Sequence, residues 1–456
     1  MARILFKDIY YLQTSADAEG LRGYDLLIEG NRVAKIEKNI DFTPEAEDRV
    51  IDASRHVVVP GFVNTHHHFY QTLTRNIREV QNAKLFDWLV YLYEVWKHID
   101  EEAVYYSSLL AMAELLKTGC TTSTDHHYLY PRGFHGDPLG LQFQAAETLG
   151  MRFSPTRGSM SLSKKDGGLP PDSVVQTDEE ILEDSERVIR EYHDDSDFSM
   201  KKVVLAPCSP FSVTEDLMKR TGELARKYGV RIHTHVAETI DENDFCMEVY
   251  GRRPLQLMED TGFVGEDVFY AHGIHFNDEE LDTLAKTGTY IAHCPSSNMR
   301  LGSGICRVTE MLPRGGNVAL AVDGSASNDS SDMLGEMRNA LYLQRVKYGA
   351  DALTPREVYK IASENGSRLL GYSKVGKLED GWAADLAAFD ISGIEYAGSL
   401  SDPAAALLFC GNSHQADYTV VNGRVVVEKG RLLGFKEEEL AKKANEIAFS
   451  ILQHKE

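Results

Sequence analysis

Cysteine and positive charge are both scarce in this chain. Its 456 residues include only six cysteines, at positions 120, 208, 246, 294, 306 and 410. That is too sparse for the disulfide framework of a small secreted scaffold. Neighbours such as Gly119 and Phe409 are small or apolar, so buried thiols are expected. Forty-eight Lys and Arg stand against 70 Asp and Glu, a formal charge of −22. No basic footprint is concentrated anywhere, which excludes nucleic acid as the main partner. No apolar run reaches the roughly 18 residues of a membrane-spanning helix, so no membrane partner is expected. The opening stretch MARILFKDIYYLQT lacks the apolar core and small-residue cleavage site of a secretory leader, and a cytoplasmic location is expected. Low-complexity segments and solenoid repeats are absent too. What remains is ordinary globular composition, 43% hydrophobic and 26% charged, in a chain long enough for one large barrel or two to three smaller domains.

Texture changes twice along the chain. Up to residue 60 it reads as short strands (Arg3 to Phe6, Asp25 to Ile28, Arg32 to Ile36), with a hairpin turn at Glu29-Gly30-Asn31. Val57 to Asn64 then runs as a mostly apolar segment into a histidine cluster. The long middle alternates apolar strands with helices. Strands are expected at Thr121 to Asp125, Val203 to Pro207, Arg231 to His235, Val268 to His272, Thr289 to Cys294 and Asn317 to Asp323. Helices are expected at Glu101 to Thr118, Leu141 to Leu149 and Thr214 to Tyr228. Continuous apolar strands between helices imply a parallel sheet covered on both faces. No GxGxxG or GxxxxGK[ST] loop follows the first of these strands, which argues against an open doubly wound sheet. The expected fold is α/β, a (β/α)₈ TIM-like barrel over 61–379. A small β-sandwich built from both chain ends, 1–60 plus 380–435, sits beside it, and a C-terminal helix covers 436–456. Asn422-Gly423 marks a hairpin in the second β-rich end.

Four strand ends carry residues suited to metal chemistry. In Thr65-His66-His67-His68 the period of two puts His66 and His68 on one side, where they can chelate one divalent ion. His233-Thr234-His235-Val236-Ala237-Glu238 offers His235 as a third ligand. Glu238, three residues further on, can reach a water at the metal without binding the ion, as general base and then acid. His272 ends another strand before Gly273 and can touch substrate or that water. Asp323 ends the last strand, ahead of turn residues, and can complete a His₃Asp set. Each alone has an ordinary structural explanation: a core histidine, a surface charge, a capping aspartate. The set of four at strand ends, where barrel sites gather, is much harder to explain that way.

These motifs resemble the amidohydrolase superfamily, in its single-metal deaminase and chlorohydrolase branch. PGFVNTHHH matches that family's first-strand motif and HTHVAE its fifth. The resemblance implies His66, His68, His235 and Asp323 as metal ligands, with Glu238, His272 and Asp323 as catalytic groups. It implies one divalent metal per chain, zinc first and Fe²⁺ or Mn²⁺ as alternatives. Lys201 and Lys202 precede the fourth strand rather than end it, which agrees with a site lacking a bridging lysine. Longer strings, HHHFYQTLTR, TDHHYLYP, RGSMSLSKKDGGLPP, LAPCSPFSVT, HCPSSNMRL and VDGSASNDSSDM, resemble the members that deaminate 8-oxoguanine or hydroxylated s-triazines. The activity implied is hydrolytic deamination of 8-oxoguanine to urate and ammonia. Another aminated heterocycle (a hydroxylated s-triazine, isoxanthopterin or guanine) is the alternative. Gln71, His127, Tyr128 and Arg157 are the candidates for binding this small heterocycle. A homo-oligomer is implied as well, with the apolar stretch Phe86 to Trp96 as interface or lid.

Overall fold

The computed structural model describes residues 2–453. Residue 1 of the expected sandwich and residues 454–456 of the expected terminal helix lie outside the described residues. Eight parallel strands follow one another in chain order: β1 (Phe62–Asn64), β2 (Cys120–His127), β3 (Arg152–Ser159), β4 (Val204–Pro207), β5 (Arg231–Val236), β6 (Val268–His272), β7 (Tyr290–His293) and β8 (Asn317–Leu320). Every residue of β2, β3, β4 and β6 is buried. That explains their lack of polar alternation: helices cover the outside while side chains fill the inside. The ring closes just past the ends of β8 and β1. Thr65 N–H donates to Leu320 O at 3.2 Å, and Asp323 N–H donates to His66 O at 3.1 Å. Closure therefore brings the residues after β1 and after β8 side by side.

The covering helices start where their sequences say they should. Thr177 with Glu180, Asn277 with Glu280 and Thr354 with Glu357 each form a capping box, in which the third helical residue bonds the N-cap backbone. The helix Glu101–Lys117 begins on Asp100, whose side chain accepts from Ala103 N–H.

Both chain ends build the satellite. One sheet orders Arg32–Glu37, Tyr24–Glu29, Arg3–Ile9 and Arg49–Asp52. The other runs Arg431–Leu432, Arg424–Glu428, Tyr418–Val421, Leu386–Asp390, His56–Pro60 and Tyr11–Leu12. Phe6, Leu26, Ile28, Val58, Leu386 and Val420 pack between the two sheets. The alternate residues Val57, Val59, Ala387, Phe389 and Val421 pack into the main core instead. The second sheet is thus a shared wall, buried on both faces, and this accounts for the unbroken Val57-Val58-Val59 run. The apolar segment Val57 to Asn64 divides at Pro60-Gly61: its first half joins the satellite and its second half is β1. Asn422 and Gly423 both adopt positive φ, 49° and 79°, as a two-residue hairpin between right-twisted strands requires.

A buried ion pair ties satellite to barrel. Arg152, at the start of β3, donates through Nε and Nη2 to Asp385 Oδ2 at 3.1 and 3.0 Å. Its Nη1 donates to Phe198 O at 2.9 Å and also to Ser199 O. Asp385 Oδ1 accepts from Asn422 N–H at 2.5 Å, which holds the hairpin. Both side chains are almost wholly buried, at 0% and 1% exposure. Removing one partner strands the other charge without solvent. Asp385→Ala should lose about 3–5 kcal/mol of stability, whereas Arg152→Met with Asp385→Leu should lie much nearer the native chain. Urea unfolding of the single and double variants checks this, and an unchanged midpoint for Asp385→Ala would refute it.

Candidate active site

Strand ends aim the candidate residues inward by adopting strained backbone. Ala237 after β5, His272 at the end of β6 and Asp323 after β8 have φ of 55°, 73° and 65°. None is glycine, and each left-handed residue costs about 1–3 kcal/mol. His66 and His68 lie just past β1, where the closing hydrogen bonds at Thr65 N–H and His66 O hold the chain. His67 points the other way, to Ser331 Oγ at 2.9 Å, as the period of two requires.

Hydrogen bonds at one ring nitrogen of each imidazole decide what the other offers. His68 Nδ1–H donates to His126 O at 2.8 Å, and His235 Nδ1–H donates to Cys208 O at 2.7 Å. His233 Nδ1–H donates to Phe269 O at 2.9 Å, so its Nε2 accepts from His66 Nδ1–H at 2.8 Å. All three of His66, His68 and His235 therefore present a bare Nε2 lone pair. His68 Nε2 and His235 Nε2 face each other at 3.2 Å with no proton between them. Asp323 Oδ1 lies 3.3 Å from His66 Nε2 and 3.5 Å from His68 Nε2. His66 Nε2 is buried without a hydrogen-bond partner. Lone pairs and a carboxylate facing one point repel one another unless a cation sits among them. Burial, followed by the field of His66, pushes the His68 pKa down to about 3, so protonation does not supply that cation near neutral pH. The donor set, three imidazole nitrogens and a carboxylate oxygen, is one that divalent metals accept. This His/Asp cluster forms a single divalent-metal site. The groupings of His66 with His126 and His235, and of His272 with Cys294 and Asp323, share its members. Burial keeps the Cys294 thiol protonated by raising its pKa well above the ordinary value.

Two further groups face the same point. Asn298 Nδ2 donates to His272 Nδ1 at 3.0 Å, which places the ring proton on Nε2. That nitrogen lies 3.5 Å from Glu238 Oε2 and 4.0 Å from Asp323 Oδ2. Burial, then the charges of Asp323 and Glu242, raises the Glu238 pKa well above the ordinary range. Burial lowers that of His272 to about 4. The site thus pairs a carboxyl that holds its proton unusually tightly with a neutral imidazole that donates.

Above these groups lies a cavity. Its floor is His68, His235, Glu238, His272 and Asp323, and Gln71, Tyr128 and Cys208 stand at its walls. Leu85, Trp88, Leu89 and Tyr93, from the helix Leu85–Trp96, form the roof. The apolar stretch expected as interface or lid therefore turns its main face inward over the site. Trp88 Nε1 is a buried donor without a partner. Gln71 Oε1 accepts from Ala326 N–H at 3.4 Å, and a Cβ on Gly324 would meet that oxygen at 2.0 Å. Glycine at 324 is needed for this close approach.

Gln71 and Tyr128 are brought together with the metal site, whereas His127 and Arg157 are not among the cavity's walls. His127 packs edge-on against Tyr70 and Tyr130, with ring centres 5.8 and 5.4 Å away. The Arg157 guanidinium is spoken for by Asp184 at 2.6 Å, Gln176 at 2.9 Å and the Tyr130 ring at 4.0 Å. His275 bonds Ser303 O at 2.9 Å, outside the site. Lys201 and Lys202 pair with Glu147 and Asp195, so neither ends β4. Sequence reasoning passed over His233, Asn298, Glu242 and Trp88. His233 had a usable signal, since it shares a face of β5 with His235.

Known proteins resemble this chain in sequence and fold. The chain is 50% identical over 383 residues to an 8-oxoguanine deaminase from Pseudomonas aeruginosa, covering 84% of this chain and 85% of that protein. It is 35% identical over 461 residues to a hydroxydechloroatrazine ethylaminohydrolase from a Pseudomonas species, covering 98% and 95%. Among solved structures, atrazine chlorohydrolase from Arthrobacter aurescens complexed with zinc superposes with a TM-score of 0.91 at 28% identity, over 98% of this chain and 100% of that one. No helix among the described residues is long and apolar enough to cross a membrane. The profile of the amidohydrolase family matches residues 57–426, a span that starts before β1 and takes in every donor described above. By that match, this chain belongs to the amidohydrolase family.

Proposed function

We propose that the chain hydrolytically deaminates 8-oxoguanine to urate and ammonia, as a metal-dependent aminohydrolase. The observation that carries this reading is 50% identity, over 84% of the chain, to a protein of that activity. His66, His68, His235 and Asp323 hold the metal, and zinc suits the donor set and the zinc-complexed relative. Iron or manganese are the alternatives that the same nitrogen and oxygen donors accept. A divalent ion there supplies Lewis-acid chemistry that makes water a nucleophile near neutral pH.

The chain's own groups then do the following. Glu238, facing His272 Nε2 at 3.5 Å, takes a proton from the attacking water. The water oxygen bonds to the ring carbon that carries the exocyclic amine. His272 donates its Nε2–H to that oxygen and offsets the charge gathering there. Glu238 returns the proton to the amine as the carbon–nitrogen bond breaks, and ammonia leaves. Water and substrate account for every atom of the products. Gln71 and Tyr128 read the polar edge of the heterocycle under the apolar roof of the helix Leu85–Trp96. His127 packs behind that wall against Tyr70, whose ring also meets Tyr128, while Arg157 stacks on Tyr130 outside it.

The 8-oxo substrate carries an N7–H donor and an O8 acceptor, where guanine has an N7 acceptor and a C8–H. A pocket matched to the first leaves a polar group unpaired with the second, at about 1–3 kcal/mol. A second reading takes a hydroxylated s-triazine or isoxanthopterin as substrate. It draws on the 35% and 32% identical relatives, and it uses the same site chemistry.

Three outcomes test these assignments. Ammonia release should show kcat/KM highest for 8-oxoguanine in a panel with guanine, isoxanthopterin, cytosine and a hydroxylated aminotriazine. A lead of about tenfold by another member, roughly 1.4 kcal/mol, would transfer the activity to that compound. Glu238→Gln should keep one metal per chain and lose about 10²–10⁴-fold in kcat, whereas His68→Ala should lose the metal. Elemental analysis alongside turnover decides this, and two metals per active chain would overturn the single site. The third outcome concerns pH. Glu238 acts as base only when ionised, and its pKa is raised by burial, Asp323 and Glu242. Activity therefore falls as pH drops through a value above the ~4.3 of an ordinary glutamate. A kcat/KM profile flat down to about pH 4.5 would assign the proton to another group.

A further inference from the structure

Between β5 and the helix Ile240–Tyr250 the chain makes an unusual turn. Ala237 is left-handed, with φ of 55°, and is almost fully buried. Thr239 is the N-cap of the following helix, yet its side chain makes no capping bond. Glu242 is the third helical residue, as Glu180, Glu280 and Glu357 are in their helices. Those three glutamates reach back to the backbone of their own N-cap. Glu242 reaches past it. Its Oε1 accepts from Ala237 N–H at 2.8 Å and its Oε2 from Glu238 N–H at 2.9 Å. The carboxylate therefore spans two consecutive amides of the strained turn, and it is 1% exposed.

The other side of the same peptide is pinned as well. Ala237 O accepts from Ile274 N–H at 2.9 Å and His275 N–H at 3.0 Å, and Val236 O accepts from Gly273 N–H at 3.1 Å. These amides belong to the loop that follows His272. The turn that carries Glu238 is thus fixed between Glu242 on one side and the loop after β6 on the other. Its geometry sets where the Glu238 carboxylate lies relative to His272 Nε2.

We propose that Glu242 is a positioning residue: its bidentate grip on the Ala237 and Glu238 amides holds the left-handed turn that aims Glu238 at the reacting water. The proposal rests on the reading of Glu238 as proton shuttle. Only a carboxylate offers two acceptor oxygens to two parallel N–H groups. A glutamine at this position sets its NH₂ against one of them, and an aspartate is too short to reach both. Either change lets the turn relax toward an unstrained conformation and carries Glu238 away from its target. His235 lies upstream, anchored independently by Cys208 O, so the metal donors are left in place.

The test uses Glu242→Gln, Glu242→Asp, Glu238→Gln and the double variant Glu238→Gln/Glu242→Gln, each as metal-loaded full chain. Glu242→Gln should lower kcat at least tenfold, with KM and metal content within about twofold of the native protein. Amide hydrogen exchange across residues 236–239 should speed up in the same variant, a readout independent of turnover. The double variant should be no slower than Glu238→Gln alone, because Glu242 acts through Glu238. If Glu242→Gln does not fold, Glu242→Asp carries the same expectations in weaker form. Native kcat in the folded Glu242 variants, losses that multiply in the double variant, or loss of metal in step with activity would each overturn the proposal. A fully active Glu238→Gln would instead bring down the shuttle reading on which it rests. An inactive Glu238→Gln beside a native-like Glu242→Gln would bring down the clamp alone.

Discussion

Three imidazole lone pairs can be aimed at one point only because the opposite nitrogen of each ring is already committed. His68 and His235 give their Nδ1–H to the backbone carbonyls of His126 and Cys208, and His66 gives its own to His233. Two of these acceptors are main-chain atoms at or just past the ends of β2 and β4, so their position is set by the barrel's ladder rather than by side-chain choice. The order of dependence runs outward from there. Strand register fixes carbonyls, carbonyls fix tautomers, and tautomers leave acceptors where a cation must sit. His272 shows the reverse setting. Asn298 donates to its Nδ1, and the ring becomes a donor into the site instead of a ligand candidate.

Strain and burial serve the same end. Left-handed Ala237, His272 and Asp323 each turn the chain at or just past a strand's end, where an extended residue would carry it onward past the site. The closing hydrogen bonds between the β1 and β8 ends hold Asp323 beside His66, so ring closure and ligand assembly are one event. Far from the chemistry, Arg152 and Asp385 join the barrel wall to the satellite. The satellite's second sheet is in turn buried against the barrel. It acts as a part of the barrel's packing rather than an appendage.

Much of this was legible in the sequence, for reasons that can be named. Apolar strands ending in His, Glu or Asp marked β1, β5, β6 and β8, because interior strands have no reason to alternate and strand ends host the polar groups. The period of two separated His66 and His68 from His67. The Asn422-Gly423 hairpin was legible because few other residue pairs accept two positive φ values. Strand β3 was not among the expected strands: Arg152, Pro155, Arg157 and Gly158 break the apolar run that marked most of the others. The carboxylates that neutralise its two charges in the wall, Asp385 and Asp184, lie 233 and 27 residues away in sequence. The role of Glu242 was hidden for a related reason. Its position matches an ordinary capping box, and only its hydrogen bonds to Ala237 and Glu238 show that it bypasses the cap. Arg157 and His127 were placed near the substrate by their nearness to strand ends, but proximity along a strand does not say which way a side chain leaves it.

The shared wall has a consequence for how the chain is made. On one side, strand His56–Pro60 finds its hydrogen-bonding partner Leu386–Asp390 only long after it has itself been made. The Ala16 N–H waits likewise for Glu364, 348 residues downstream. At ribosomal speeds of ~5–20 residues per second, that is a delay of roughly 20–70 seconds. Throughout it the Val57-Val58-Val59 segment is an apolar strand with one edge open, the kind of surface that pairs with whatever is nearest. The architecture thus separates the two satellite sheets in time: the first, Arg3 to Asp52, can pair within itself, whereas the shared wall is complete only once Leu386–Asp390 has been made.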